Sequence, residues 1–128
     1  MANRYKRKDV LDALYNKALG VCDNSFTSRP VATDKMDTFI VVSLPQGIDP
    51  YADTHNTAYV QFHCYARDRQ GGVVNENALE ELVDGIVNLF PFNDSLMSCN
   101  ASPIVLGAKS DGLGFHSVII QTRLVIKF

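Results

Sequence analysis

The chain has 128 residues, of which 46% are hydrophobic and 20% charged, and its formal net charge is −2. This length fits one domain with one core, and the composition is that of a folded protein, which argues against a disordered chain. The near-neutral balance also argues against a protein that coats nucleic acid, although Arg4, Lys6, Arg7 and Lys8 give residues 1–8 the character of a basic N-terminal arm.

The first predicted element is a helix over residues 7–20. Its apolar side chains recur at helical spacing, and Gly20 stands where a left-handed C-cap would end it. The following segment, 21–37, is mixed and leaves two structures open, an irregular connection or a short edge strand. Residues 38–44 are rich in β-branched and aromatic side chains and predict a central strand that stops at Pro45.

Residues 45–56 contain two prolines and a glycine, which predicts a long loop, a feature that is often functional in a small domain. A strand over residues 57–67 follows. Because side chains alternate along a strand, one face is core-like and the other amphipathic. The core-like face carries Val60, Phe62, Cys64 and Ala66, and the amphipathic face carries Tyr59, Gln61, His63 and Tyr65. Such a sheet is covered by helices on one side and meets water or a partner on the other.

The second helix begins at Asn75 or Asn77, either of which can cap it, and Pro91 closes it. A hairpin follows, with strands over 96–108 and 115–128 and a glycine-containing turn between them. The element order is then α-β-β-α-β-β. We therefore predict a single α+β domain over 1–128, with two helices packed on a mostly antiparallel sheet of about four strands.

Neither the termini nor the cysteines indicate export. The N-terminus is charged and polar, and no apolar run approaches the ~18 residues of a spanning helix. The cysteines are odd in number and widely spaced, which fits reduced thiols better than disulfides. We expect a cytosolic setting and no contact with a membrane.

Local catalytic and metal-binding patterns are missing from the sequence. His63 and Cys64 are adjacent in a strand and point to opposite faces, and the cysteines form no C-x-x-C pair. There is no G-x-S-x-G elbow, and Gly112-Leu113-Gly114 leads into a strand, whereas phosphate binding requires a helix N-terminus. We expect no catalytic, metal-binding or cofactor-binding residues, and a protein that is not an enzyme.

One family nevertheless shares this arrangement of motifs. The charged run 65–69 is followed by glycines, then by an Asn-capped helix that ends in Leu89-Phe90-Pro91, and later by the closing strand 114–120. Over about residues 57–128 the chain resembles the tail terminator and tail completion proteins of long-tailed bacteriophages and prophages.

The resemblance implies a small α+β virion subunit that closes into a homo-oligomeric ring, commonly a hexamer, at the head-proximal end of the tail tube. Its partners would be the tail tube protein and the head–tail connector proteins, and it would assemble in the cytoplasm of the host bacterium. No cofactor is implied. A contact between the basic arm and DNA is compatible with the resemblance but is not predicted by it.

A ring needs a subunit interface, and two groups of residues are candidates for it. Arg67, Asp68 and Arg69 would form ion pairs between subunits that set register more than affinity. The other interpretation is a solvated turn, or an arginine that holds the helix entry. Tyr59, His63 and Tyr65 would cover a neighbouring subunit or pack beneath the long loop. On the first interpretation, we expect Arg67→Glu to weaken self-association and leave the fold intact.

An alternative from another class is a small nucleic-acid-binding domain. Tyr59, His63 and Tyr65 would then be a stacking face, and the basic arm would follow phosphates. The two hypotheses differ in solution: the first predicts a ring, and the second a monomer whose nucleic-acid binding falls steeply with salt.

Overall fold

The computed structural model describes residues 7–30, 33, 35–45, 48–51, 55–94, 97–99 and 103–127. Its elements in chain order are α1 (Arg7–Leu19), β1 (Ser25–Phe26), β2 (Thr38–Ser43), β3 (Ile48–Tyr51), β4 (His55–Arg67), α2 (Glu76–Val87), β5 (Phe92–Asn93), β6 (Met97–Cys99), β7 (Ile104–Ser110) and β8 (Phe115–Lys127). Neither described helix is long and apolar enough to cross a membrane. Of the predicted basic arm, residues 1–6 lie outside the described part, and Arg7 and Lys8 belong to α1.

The predicted fold, two helices on a sheet of about four strands, is wrong. The described residues form two helices and one mixed sheet of eight strands, in which β1 pairs with β2 in parallel and the other pairs are antiparallel. Four of these strands are only two to four residues long. Strands this short leave little period-two pattern in a sequence, so they are fixed by pairing with their neighbours.

The centre of the sheet is the antiparallel pair β4 and β8, each 13 residues long. They pair from His55 opposite Lys127 to Arg67 opposite Phe115. β2 and β3 follow one another along the outer side of β4, and β7 and β6 do the same along β8. Near each of its two ends, the central pair therefore has a further strand on both sides.

Both helices pack on one face of this sheet and form the main core. Val10 and Leu14 of α1 and Leu82 and Ile86 of α2 belong to one buried cluster with β-strand side chains. The predicted core-like face of β4 is in this cluster at Val60, Phe62 and Cys64, and Ala66 lies in a smaller one beside Leu79. Asn75 caps α2, as one of the two proposed caps, by accepting a hydrogen bond from the Ala78 amide.

The face away from the helices, called the open face below, is partly covered at one end by aromatic rings. Phe39 stacks on Tyr65 with 4.4 Å between ring centroids and meets Phe26 and Phe115 edge to face. The Arg29 guanidinium lies over Tyr65, 4.9 Å from its centroid. This aromatic cluster gives the sheet a second, smaller core on the open face.

The segment predicted as a long loop, 45–56, contains a strand. β3 pairs with the first residues of β4, from Ile48 opposite Ala58 to Tyr51 opposite His55. Residues 46, 47 and 52–54 lie outside the described part. In the predicted C-terminal hairpin, the first strand is divided into β6 and β7. The open question about 21–37 is answered by β1, a short strand at the edge.

Candidate interaction surface

The charged run at the end of β4 makes contacts within its own chain. Arg67 Nη2 donates hydrogen bonds to the carbonyl oxygens of Thr33, at 2.6 Å, and Met36, at 2.8 Å. Its guanidinium carbon lies 4.7 Å from the centroid of Phe115, and its Nε lies 3.5 Å from a carboxylate oxygen of Asp37. Arg67 therefore holds the segment that leads into β2.

The two residues after Arg67 differ in exposure. Asp68 Oδ1 lies 2.5 Å from His116 Nδ1, and the Asp68 amide donates to the Gly114 carbonyl at 2.9 Å. Arg69 is exposed, and its amide donates to the Val73 carbonyl at 2.7 Å. Three charged side chains were candidates for a subunit interface, and of these Arg69 is the exposed one.

The three aromatic candidates share the open face, but they are not equally accessible. Tyr59 has 37% of its surface exposed, whereas His63 and Tyr65 are half-buried. Tyr65 already stacks on Phe39, and the Arg29 guanidinium lies near both rings, 4.9 Å from the Tyr65 centroid and 5.5 Å from the Phe39 centroid. A nucleic-acid base that stacked on the same face of the Tyr65 ring would have to displace Phe39.

Next to the aromatic cluster, a row of polar side chains crosses the middle of the open face. Gln61 Nε2 donates to Gln121 Oε1 at 2.7 Å, and Gln61 Oε1 lies 3.1 Å from His63 Nε2. Ser43 Oγ lies 3.3 Å from the same nitrogen. Burial lowers the pKa of His63, so the ring is neutral at pH 7. These hydrogen bonds link the four side chains into one row, which presents neutral polar groups to the surface.

Strand β7 is exposed along its whole length and is not among the predicted interface residues. All seven of its residues are exposed. Ile104, Val105 and Leu106 have 60%, 48% and 43% of their surface accessible. Leu106 pairs with Ile119 and so belongs to the open face, and Val105 pairs with Ile120 and belongs to the helix face. Neither face of β7 is covered, and no described strand pairs with its outer edge.

A sequence signal for this surface did exist. The run Ile104-Val105-Leu106 is apolar on both faces and was assigned to a strand. Continuous apolar runs are typical of strands buried on both sides. Sequence could not show that this strand lies at the edge of the sheet, because that depends on the pairing of β7 with β8 alone.

Among the described residues, no group of three or more His, Cys, Asp or Glu side chains is placed to hold a metal ion. Cys64 lies in the core, where burial raises the pKa of its thiol to about 12. This thiol is therefore protonated and unreactive in the folded chain. On the described surface, β7 presents exposed apolar side chains and the backbone groups of an edge strand.

Comparisons with known proteins add evidence on the fold alone. No family model and no curated protein matches the chain. Six solved chains match it. One of them, whose name states no function, is 14% identical with a TM-score of 0.64, and the match covers 94% of this chain and 96% of that chain. The chain is similar in fold to that protein over nearly the whole length of both.

Proposed function

We propose that this chain is a non-enzymatic subunit of a bacteriophage or prophage tail, of the tail terminator or tail completion class. Copies of it associate into a ring that caps the last ring of the tail tube and presents a surface to the head connector. In this mechanism the free energy of binding between subunits drives assembly, and no catalytic step is involved. The motifs of residues 57–128 support the family, and the exposed strand β7 supports the self-association.

The observation that carries the proposal is the surface of β7. An edge strand with uncovered apolar side chains on both faces is a template for another chain, and folded monomers usually protect such edges with charge, proline or a covering element. In β7 the one charged side chain is Lys109, near its end, and the first three residues are large and apolar. Association would cover these side chains and pair the free backbone groups.

The experiment is the solution mass by light scattering, across protein concentration and salt, of nucleic-acid-free protein. We expect a discrete ring-sized species. Leu106→Lys should shift the protein toward the monomer, because it places a charge at the centre of the contact. Leu113→Lys is the matched control, since Leu113 is 70% exposed in the turn after β7 and lies outside the edge strand.

One result would contradict the proposal, and another would remove the observation that carries it. A protein that stays monomeric at every concentration, and binds DNA with an affinity that falls steeply with salt, would favour the nucleic-acid-binding alternative. A ring that Leu106→Lys and Leu113→Lys leave equally intact would remove β7 as the supporting observation. Circular dichroism of both variants would show that they remain folded.

A further inference from the structure

A single register row crosses the sheet from β1 to β7. Phe26 is opposite Val41, Val41 opposite His63, His63 opposite Ile119, and Ile119 opposite Leu106. Adjacent strands lie about 4.8 Å apart, so the two ends of this five-residue row are about 19 Å apart. Phe26 and Leu106 both belong to the open face. The β1 edge and the β7 edge therefore each carry an apolar side chain in the same register row and on the same face.

The strand directions at the two edges are complementary. β1 runs parallel to β2, and β2 runs antiparallel to β4. β8 also runs antiparallel to β4, and β7 antiparallel to β8. β7 therefore runs opposite to β1. If a second copy continued the sheet, its β1 would meet β7 as an antiparallel pair, which is how most of this sheet is already built.

The side chains at the two edges also fit each other. At the β1 edge a shallow depression is lined by Asp12, Tyr15, Phe26 and Thr27, among others. Asp23, just before β1, is exposed, and the Asp12 carboxylate is about half exposed beside Lys8. The β7 edge presents apolar side chains and the positive charge of Lys109. An apolar strand with one positive charge would thus face a groove with an aromatic ring and the exposed Asp23 nearby, while the Asp12 carboxylate is ion-paired with Lys8 at 2.8 Å.

We infer that β7 of one subunit adds as an antiparallel strand to the β1 edge of the next. This inference rests on the proposed ring, and its occupant is a second copy of this chain. A ring requires two different surfaces on each subunit, and opposite edges of one sheet provide them. If the row continues without offset, Leu106 lies opposite the neighbour's Phe26, and Val105 lies opposite its Thr27.

Disulfide cross-linking tests this contact. Thr27 and Val105 are both exposed, and directly opposed residues of antiparallel strands are close enough for a disulfide. The double variant Thr27→Cys with Val105→Cys, oxidised at the concentration where the ring forms, should give a ladder of covalent multimers on a non-reducing gel. Two backgrounds should give none: the unsubstituted protein, with its Cys22, Cys64 and Cys99, and the pair Thr27→Cys with Leu113→Cys.

Three outcomes would overturn the inference, and they are distinguishable. A ring-sized mass without a ladder overturns this contact and leaves the ring. A covalent dimer from Val105→Cys alone shows β7 paired with a second β7, which is a two-fold contact and overturns the head-to-tail one. A monomeric mass for the unsubstituted protein at all concentrations overturns both the ring and this contact.

Discussion

Asp111 ties the turn between β7 and β8 to the aromatic cluster. One carboxylate oxygen accepts hydrogen bonds from the amides of Leu113, at 2.7 Å, and Phe115, at 3.1 Å. The other lies 2.8 Å from Arg29 Nη1. Burial alone would raise the pKa of Asp111, but the two amides and the guanidinium outweigh it and lower the pKa below its ordinary value. The charged carboxylate therefore stabilises the folded chain.

We expect Asp111→Asn to lower the free energy of unfolding by about 1.5 to 3 kcal/mol, the range for hydrogen bonds to a charged group. Because the folded-state pKa lies below the unfolded value of about 3.9, the carboxylate's contribution is complete above that pH. It is lost as the pH falls through the folded-state pKa. Denaturant unfolding of both proteins at several pH values should show a difference that shrinks in acid.

Asp37→Asn is the control, since the Asp37 carboxylate is 93% exposed and contacts Arg67 only at 3.5 Å. Its effect should be within about 0.5 kcal/mol at every pH, as for most surface substitutions. If Asp111→Asn is as mild as Asp37→Asn, the carboxylate does not hold the turn.

Individual contacts of this kind were not predictable from the sequence. Arg67 was proposed for a subunit interface, yet its hydrogen-bond acceptors are carbonyls of Thr33 and Met36, more than thirty positions earlier. Those residues lie in a segment whose pattern left its structure open. A long cationic side chain at a strand end looks the same in a sequence whether it binds its own chain or another. Because Arg67→Glu would remove these two hydrogen bonds, it should destabilise the fold itself.

At the scale of elements, α2 packs closely against the segment that follows α1. Gly85 allows this close approach because it has no side chain. A Cβ atom added at Gly85 would lie 2.5 Å from Cγ1 of Val21. Glycine in the middle of a helix costs roughly 1 kcal/mol relative to alanine, so this position is unfavourable for the isolated helix. The close approach of Val21 explains the glycine.

The contact between Gly85 and Val21 predicts that the effect of Gly85→Ala on stability has opposite signs in the unsubstituted protein and in a Val21→Ala background. Gly85→Ala alone should destabilise the protein by about 1 kcal/mol or more, because overpacking costs more than the helix gains. In a Val21→Ala background the space is free, and the same Gly85→Ala change should stabilise the protein by up to about 1 kcal/mol. A double-mutant cycle from denaturant unfolding measures the coupling. Equal effects in both backgrounds would show that Val21 moves away at no cost.

Long elements were predictable where local signals agreed, and short ones were not. α2 combines helical periodicity with a cap at Asn75, and β4 alternates between buried and half-buried positions from Val60 to Arg67. β3 was missed because Pro50 lies inside it, and proline argues against a strand unless the strand is at an edge. β1 and β5 have two residues each and exist only through their partners.

For the whole molecule, the arrangement of strands separates a protected centre from exposed edges. β4 and β8 are paired along their entire length and lie between other strands. Their buried faces carry the largest part of the core. β7 lies at the outside and is uncovered on both faces. Opening of the sheet should therefore cost least at β7 and most at the central pair.

Hydrogen exchange should show which strands form the contact between subunits. In dilute, monomeric protein, we expect the amides of β4 and β8 to exchange slowest, and the outward amides of β7 to exchange freely because no described strand accepts them. At ring-forming concentration, the amides of residues 104–110 should gain protection, while those of α2 stay unchanged. Leu106→Lys at the same concentration should show no gain. Protection that appears instead along β3 or β5 would place the subunit contact at the other end of the central strand pair, away from β7.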